Sequence, residues 1–117
     1  MITQLSPSAF ADWRNTATRA DVRPVVLDVR EPWELQTASV REDGFELLAI
    51  PMRDVPARLA ELQASHEDRP IACLCHHGMR SLQVATYLTQ NGFTEVVNLQ
   101  GGIDAWSAVV DPTVPRY

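Results

Sequence analysis

The residues best suited to chemistry lie in one short segment, residues 75–81, which reads CHHGMRS. Cys75 opens the segment with a nucleophilic sulfur, and Arg80 adds a permanent positive charge five positions later. Between them, Gly78 permits backbone conformations closed to other residues, so the N–H groups of a tight loop can converge on one point. Such a loop stabilises an anion, and for a cysteine at its centre that anion is the thiolate.

This arrangement predicts covalent chemistry at Cys75. A thiolate that attacks a sulfane donor such as thiosulfate becomes a persulfide, Cys–S–S⁻, and the surrounding N–H groups can hold the terminal sulfur. An acceptor thiol or cyanide would then remove that sulfur. The other cysteine, Cys73, lies inside an apolar run and is predicted to be an ordinary core residue.

The elements that position Cys75 are a buried strand before it and a helix after it. Residues 71–75 form a continuous apolar run, typical of a strand covered on both faces, and a helix is expected to begin near Ser81. Cys75 therefore lies at the carboxyl end of a strand, where open α/β sheets build their sites. The dipole of the following helix adds positive potential there.

The rest of the chain alternates short apolar runs with helical patterns, which favours an α/β domain with a small parallel sheet and helices on both faces. Strands are predicted at Ile2–Gln4, Val25–Val29, Leu47–Ile50, Ile71–Cys75 and Val96–Leu99. Helices are predicted at Ala9–Ala17, Glu31–Leu35, Val55–Ala64, Ser81–Gln90 and Ile103–Val109. The segments Thr37–Gly44 and Asp111–Tyr117 should carry the least regular structure.

Length and charge exclude several classes of protein. The 117 residues match one domain, expected to span 1–117, and a net charge of −5 argues against nucleic acid and anionic membranes as partners. The N-terminus lacks the pattern of a secretory signal and no apolar run is long enough to cross a membrane, so a cytoplasmic location is expected. Two cysteines this close together are a poor basis for a disulfide scaffold.

Four motifs in order make the chain similar to the rhodanese-like domain family. The segment 75–81 resembles the active-site loop of that family, and residues 27–34, LDVREPWE, resemble its early DVRE-type motif. Ile50-Pro51 resembles the end of its third strand, and residues 101–106, GGIDAW, resemble its late GG-x-x-AW motif. Segment 35–49 departs from the family's pattern.

The resemblance implies a rhodanese-like fold and a sulfurtransferase of the single-domain thiosulfate type, with a persulfide intermediate on Cys75. It implies a loop that binds persulfide and substrate, formed by His76, His77, Gly78, Met79, Arg80 and Ser81. It also places Asp28 and Arg30 near this loop, where a supporting ion pair is favoured over a chemical role. No metal or organic cofactor is expected. The expected partners are a small sulfane donor, a thiol or cyanide acceptor, and a sulfur-relay protein.

Two other functions stay open at this point. Cysteine phosphatases and arsenate reductases use a similar loop for oxyanions, but their C-x5-R loop is one residue longer than the one from Cys75 to Arg80. The smaller loop favours a single sulfur atom over phosphate. A noncatalytic binding or regulatory domain could share the same fold.

Several neighbouring residues are predicted to have structural roles. Trp33 and Trp106 should pack in the core, and Gly101-Gly102 should form a close turn beneath the loop. The side chains of His76-His77 are expected to project toward solvent or substrate. A zinc site within residues 73–77 is disfavoured, because four ligands so closely spaced cannot easily surround a tetrahedral ion.

Overall fold

The fold is built around a parallel β-sheet. The computed structural model describes residues 2–19 and 22–117. The strands in these ranges are β1 (Thr3–Leu5), β2 (Val25–Asp28), β3 (Glu46–Ala49), β4 (Ile71–Leu74) and β5 (Val96–Leu99). They lie in the order β1-β5-β4-β2-β3, and each neighbouring pair is parallel. The predicted α/β class with a small parallel sheet is confirmed.

Helices connect the strands. They are α1 (Phe10–Ala17), α2 (Pro32–Thr37), α3 (Leu59–His66), α4 (Met79–Gln90) and α5 (Gly102–Val109). Short 3₁₀ turns lie at Pro7–Ala9, Met52–Asp54 and Pro56–Arg58. Over the described ranges, none of these helices combines the length and the apolar character needed to cross a membrane.

The alternation of side chains along the central strands divides the core into two clusters. Cys73 of β4 belongs to the cluster that α3 and α4 complete, which also contains Leu88. The next residue, Leu74, belongs to the opposite cluster, which α1 and α5 complete with Phe10 and Trp106. Helices therefore cover both faces of the sheet, and the predicted core packing of Cys73 and Trp106 is confirmed.

One helix and one strand differ from the sequence-based predictions in helix type or in exposure. The helix predicted at Val55–Ala64 begins with a 3₁₀ turn at Pro56–Arg58 and is α-helical from Leu59 to His66. The strand predicted at Leu47–Ile50 begins one residue earlier and lies at an edge of the sheet. Its side chains are half-buried or exposed, whereas a strand covered on both faces was expected.

The two ends of the described chain both pack against the sheet. Strand β1 forms the second edge beside β5, which confirms the edge strand predicted at Ile2–Gln4. The tail 111–117 contains no helix or strand, as predicted, but Val114 is buried in the core.

Trp33, predicted to pack in the core, is instead 62% exposed, because α2 buries the glutamate that follows it. Its ring lies 6.2 Å from the ring of Tyr117.

Candidate active site

Cys75 directly follows β4, so it lies at the carboxyl edge of the sheet. Its Sγ atom accepts a hydrogen bond from the backbone N–H of Gly78 at 3.1 Å and lies 3.3 Å from the Ser81 hydroxyl. Gly78 has a φ of 100°, a left-handed conformation that favours glycine, and it caps the N-terminus of α4. This helix begins at Met79, two residues before the expected start. The loop encloses the sulfur closely, since only 1% of Cys75 is exposed.

The turn between β5 and α5 supports the loop from below. The backbone N–H of Ile103 donates a hydrogen bond to the carbonyl oxygen of Cys75 at 2.8 Å. Gly102 has a φ of 62° and lies so close to the loop that a Cβ there would be 2.5 Å from the same carbonyl oxygen. The predicted close turn at Gly101-Gly102 is therefore confirmed, because the backbone approach leaves no room for a side chain.

A buried polar network lies behind Cys75. The Ser81 hydroxyl donates a hydrogen bond to Oδ1 of Asn98 at 2.5 Å, and both side chains are almost completely buried. The Nδ2 group of Asn98 donates to the Gly78 carbonyl at 3.0 Å and to Oε1 of Gln4 at 2.9 Å. Sequence reasoning identifies Ser81 through the loop motif. It misses Asn98, because the run 96–99 shows only the signature of a strand.

Arg80, at the far end of the loop, forms a two-point ion pair with the carboxylate of Glu34. The two N–O distances are 2.7 and 2.9 Å. Hydrogen bonds from Arg80 lower the pKa of Glu34 to about 2, and the same contact raises the pKa of Arg80. Glu34 also accepts the backbone N–H of Glu31 at 3.0 Å in a capping box at the start of α2. The positive charge of Arg80 is thus paired with a carboxylate that sequence reasoning misses.

Asp28 and Arg30 form a fully buried ion pair at 2.7 Å. Arg30 also donates hydrogen bonds to the Ala38 carbonyl at 2.8 Å and to the Tyr117 hydroxyl at 3.0 Å. The Tyr117 hydroxyl in turn donates to Glu34 at 2.6 Å. Burial raises the pKa of Tyr117 to about 12, which keeps this hydroxyl protonated at neutral pH. Asp28 and Arg30 are therefore connected through Tyr117 and Glu34 to the loop.

The two histidines of the loop differ in their surroundings. His77 is exposed, whereas His76 is half-buried and stacks on two rings, with centroid distances of 3.9 Å to His77 and 3.8 Å to Tyr117. The expectation that both histidines project outward is wrong for His76, because the tail of the chain covers it. Met79, at the start of α4, is 69% exposed.

Three side chains with metal-ligating atoms gather beside the loop in the ranges that the structure describes. The ligand atoms of His76, His77 and Asp104 lie within 4.8 Å of one another. Asp104, however, already accepts two hydrogen bonds from Arg116, at 3.0 and 3.1 Å. The two imidazole rings are stacked at 3.9 Å and inclined by only 25°, so their lone pairs lie in two separate, nearly parallel planes, a poor arrangement for two ligands of one ion. This geometry favours an aromatic stack over metal coordination.

The two cysteines are both free thiols but lie in different environments. Cys73 is fully buried within β4, and burial raises the pKa of its thiol well above the ordinary range. A thiol held neutral in this way is a poor nucleophile. Cys75, with its hydrogen-bond donors, is the sulfur with the environment of a reactive group.

Comparisons with known proteins agree with this geometry. Residues 10–109 match the sequence model of the rhodanese-like domain family. The chain is 34% identical over 93 residues to thiosulfate sulfurtransferase GlpE of Pseudoalteromonas translucida, a match that covers 79% of this chain and 81% of that protein. It is 38% identical over 93 residues to the chloroplastic rhodanese-like/PpiC domain-containing protein 12 of Arabidopsis thaliana. That match covers 79% of this chain but only 30% of the longer plant protein.

The fold also has a close counterpart among solved structures. The crystal structure of a rhodanese-related protein from Thermoplasma volcanium superimposes with a TM-score of 0.75 at 27% identity, over 98% of this chain and 99% of that one. The chain belongs to the rhodanese-like domain family. Its membership of this family and its similarity to a sulfurtransferase support the assignment of the chain as a rhodanese-type sulfurtransferase.

Proposed function

We propose that this protein is a sulfurtransferase that carries a sulfane sulfur as a persulfide on Cys75. The observation that supports the proposal most directly is the position of Sγ, 3.1 Å from the Gly78 N–H and 3.3 Å from the Ser81 hydroxyl. Two hydrogen-bond donors directed at one sulfur stabilise its anionic forms relative to the neutral thiol. Both the thiolate and the terminal sulfur of a persulfide are such anions.

The proposed reaction has two steps. The Cys75 thiolate attacks the outer sulfur of thiosulfate, the S–S bond of thiosulfate breaks, and sulfite leaves with the bonding electron pair. The enzyme then holds Cys–S–S⁻. In the second step an acceptor thiolate or cyanide attacks the terminal sulfur and leaves as a persulfide or as thiocyanate. The bonding pair returns to Cys75 as the thiolate, so the enzyme is regenerated without net oxidation or reduction.

In this proposal Arg80 fixes the shape of the loop and contributes a screened positive charge. Its ion pair with Glu34 weighs against an oxyanion enzyme, because a phosphatase or arsenate reductase needs the guanidinium directed at the oxyanion. The four intervening residues of the loop give a smaller ring than phosphate requires. A single sulfur atom, held by Gly78 and Ser81, suits this site better.

The partners proposed are small molecules and, for relay, another protein. Thiosulfate is the donor to test first, since the relative from Pseudoalteromonas translucida is named for it. The acceptor is a thiol, cyanide or a sulfur-relay protein, and the net charge of −5 does not favour nucleic acid or anionic membranes. We place the reaction in the cytoplasm, whose reducing conditions suit two free thiols. We also propose that 1–117 is one domain, because β1 and the tail pack on the same sheet.

Intact-mass spectrometry tests the proposal. The wild-type protein, Cys75→Ser and the control Cys73→Ser are treated with thiosulfate and, in parallel, with a low-molecular-weight persulfide. We expect a gain of about 32 Da, one sulfur atom on the nucleophile, in the wild type and in Cys73→Ser. The adduct should be missing from Cys75→Ser and should disappear after cyanide is added.

The alternatives give different results in the same experiment. A protein that gains no sulfur from either donor, while remaining folded, would refute the persulfide mechanism and favour a noncatalytic domain. An adduct that persists in Cys75→Ser would show that another residue carries the sulfur. Hydrolysis of an aryl phosphate that depends on Cys75 would favour the oxyanion enzyme.

A further inference from the structure

A single buried amide holds both groups that contact the Cys75 sulfur. The Nδ2 group of Asn98 donates to the Gly78 carbonyl at 3.0 Å, and its Oδ1 accepts from the Ser81 hydroxyl at 2.5 Å. Gly78 and Ser81 are also the residues whose N–H and hydroxyl reach Sγ, at 3.1 and 3.3 Å. Asn98 lies on β5, next to β4, the strand that ends just before Cys75, and is 1% exposed.

The neighbours of Asn98 determine the orientation of its amide. The Gly78 carbonyl can only accept a hydrogen bond, so the NH₂ group must face it, and Oδ1 must then face Ser81. The second N–H of the same group donates to Gln4 at 2.9 Å. With hydrogen-bond partners on both sides, the Asn98 amide has a fixed orientation beside Cys75.

The Ser81 hydroxyl has one proton and two acceptors within reach, the oxygen of Asn98 and the sulfur of Cys75. While Cys75 is a thiol, its S–H can donate a hydrogen bond to the Ser81 oxygen, and the Ser81 hydroxyl can donate one to Oδ1 of Asn98. All three groups then have hydrogen-bond partners. When the sulfur is an anion, the hydroxyl rotates to donate to it. Oδ1 of Asn98 then loses its donor, so in the anionic state Asn98 holds the loop through the hydrogen bond from its Nδ2 to the Gly78 carbonyl.

We propose that Asn98 is a positioning residue that, through the Gly78 carbonyl, holds the Gly78 N–H against the anionic forms of the Cys75 sulfur. The inference rests on the proposed role of Cys75 as the nucleophile. Asn98 acts on the anionic sulfur through Gly78, so removal of its amide should weaken the hydrogen bond from the Gly78 N–H to the thiolate. The expected result is a thiol that ionises at higher pH.

Other groups around the loop also influence the sulfur. The charged and titratable ones are the Arg80–Glu34 and Arg30–Asp28 pairs, His76, His77, Asp104, Cys73 and Tyr117. The described hydrogen bonds of Asn98 go to Gln4, Gly78 and Ser81, and to none of these groups. A substitution of Asn98 therefore changes the hydrogen bonding of the sulfur while these charges remain.

A double-mutant cycle tests the proposal. The rate of Cys75 alkylation by iodoacetamide is measured against pH in the wild type, Asn98→Leu, Ser81→Ala and the double variant, with Cys75→Ser supplying the background rate. Asn98→Ala is measured in parallel, because it removes the amide without adding volume. Asn15→Leu, an exposed position on α1, is the matched control, and circular dichroism confirms that each variant is folded.

We expect Ser81→Ala to raise the midpoint of the alkylation profile by about one pH unit, which slows alkylation about tenfold below the midpoint. In the Ser81→Ala background, Asn98→Leu should raise the midpoint further, because the Gly78 N–H is no longer held and no hydroxyl remains to compensate. The double variant should therefore have a higher midpoint than Ser81→Ala. Asn15→Leu should match the wild type.

Two results would overturn the inference. One is a folded double variant with the same midpoint as Ser81→Ala. The other is a folded double variant with a midpoint below that of Ser81→Ala. The alkylation profile does not require sulfur transfer. A wild-type protein that accepts no sulfur would therefore refute the proposed function without deciding the role of Asn98.

Discussion

Arg80 and Glu34 lie 46 residues apart in the sequence, yet their side chains meet in a two-point ion pair at 2.7 and 2.9 Å. The Glu34 side chain is 3% exposed and that of Arg80 is 32% exposed. The carboxylate therefore holds the arginine from inside the protein. This contact joins α2 to the far end of the loop and couples the position of the loop to the packing of that short helix.

Replacement of Glu34 by glutamine should weaken both stability and sulfur transfer. Glu34→Gln keeps the volume but removes the charge that Arg80 pairs with, and we expect a loss of about 2 kcal/mol in the free energy of unfolding. We expect persulfide formation to slow roughly tenfold as the loop loses its anchor. The matched control is Glu61→Gln, whose exposed pair with Arg58 should contribute little. Equal effects of the two substitutions, by urea unfolding and by single-turnover mass spectrometry, would contradict the anchoring role.

The same pair predicts a dependence of stability on pH. Hydrogen bonds from Arg80 lower the pKa of Glu34 from 4.5 to about 2, so ionised Glu34 stabilises the folded state above pH 4.5. That contribution is lost as the pH falls toward 2 and the carboxylate becomes protonated in the folded protein. The difference in unfolding free energy between the wild type and Glu34→Gln should be constant above about pH 5 and shrink below pH 4. A difference that does not change with pH would show that the charge of Glu34 is not involved.

The hydroxyl of Tyr117 should contribute to stability through its two charged partners. Tyr117→Phe keeps the ring stacked on His76 but removes the hydrogen bonds to Glu34 and Arg30, at a cost of about 1–3 kcal/mol. Tyr87→Phe, on α4, is the control for loss of a tyrosine hydroxyl elsewhere. Thermal unfolding measures both. A Tyr117→Phe variant as stable as Tyr87→Phe would show that water replaces the missing hydroxyl at little cost.

Substitution of two glycines with positive φ, Gly92 and Gly102, separates the cost of backbone strain from the loss of support for the loop. Gly102→Ala would place a Cβ 2.5 Å from the Cys75 carbonyl, whereas a Cβ at Gly92 would meet only the side chain of Glu67 at 3.3 Å. We expect Gly92→Ala to cost about 1–2 kcal/mol and leave sulfur loading unchanged. Gly102→Ala should cost about 3 kcal/mol or more and abolish loading at Cys75, because the loop must move. Normal loading in a folded Gly102→Ala would refute the supporting role of the turn.

Much of the fold and the centre of the site are predictable from local sequence. The run 71–75 is apolar throughout because its strand is buried on both faces, and Gly78 marks the tight turn that follows. These features depend on neighbouring residues in the chain. Errors arise where tertiary position decides exposure: Trp33 has the composition of a core residue but lies on the outer side of α2.

The residues that surround Cys75 are harder to predict, because contacts distant in sequence bring them there. Asn98 reaches Ser81 across 17 residues, and Tyr117 reaches Glu34 across 83. A single polar residue in a strand, or a tyrosine in an irregular tail, has no periodic pattern that would indicate its partner. Only the order of strands, with β5 beside β4, places Asn98 next to the loop.

The nearly complete burial of Cys75 has a consequence for recognition between proteins. If Cys75 carries sulfur as proposed, the persulfide extends the side chain by one S–S bond, about 2 Å. The terminal sulfur then lies beyond the position that Sγ occupies in the empty protein. An acceptor protein would meet a different surface at the loop in the empty and loaded states, and could distinguish them by shape before any bond is exchanged.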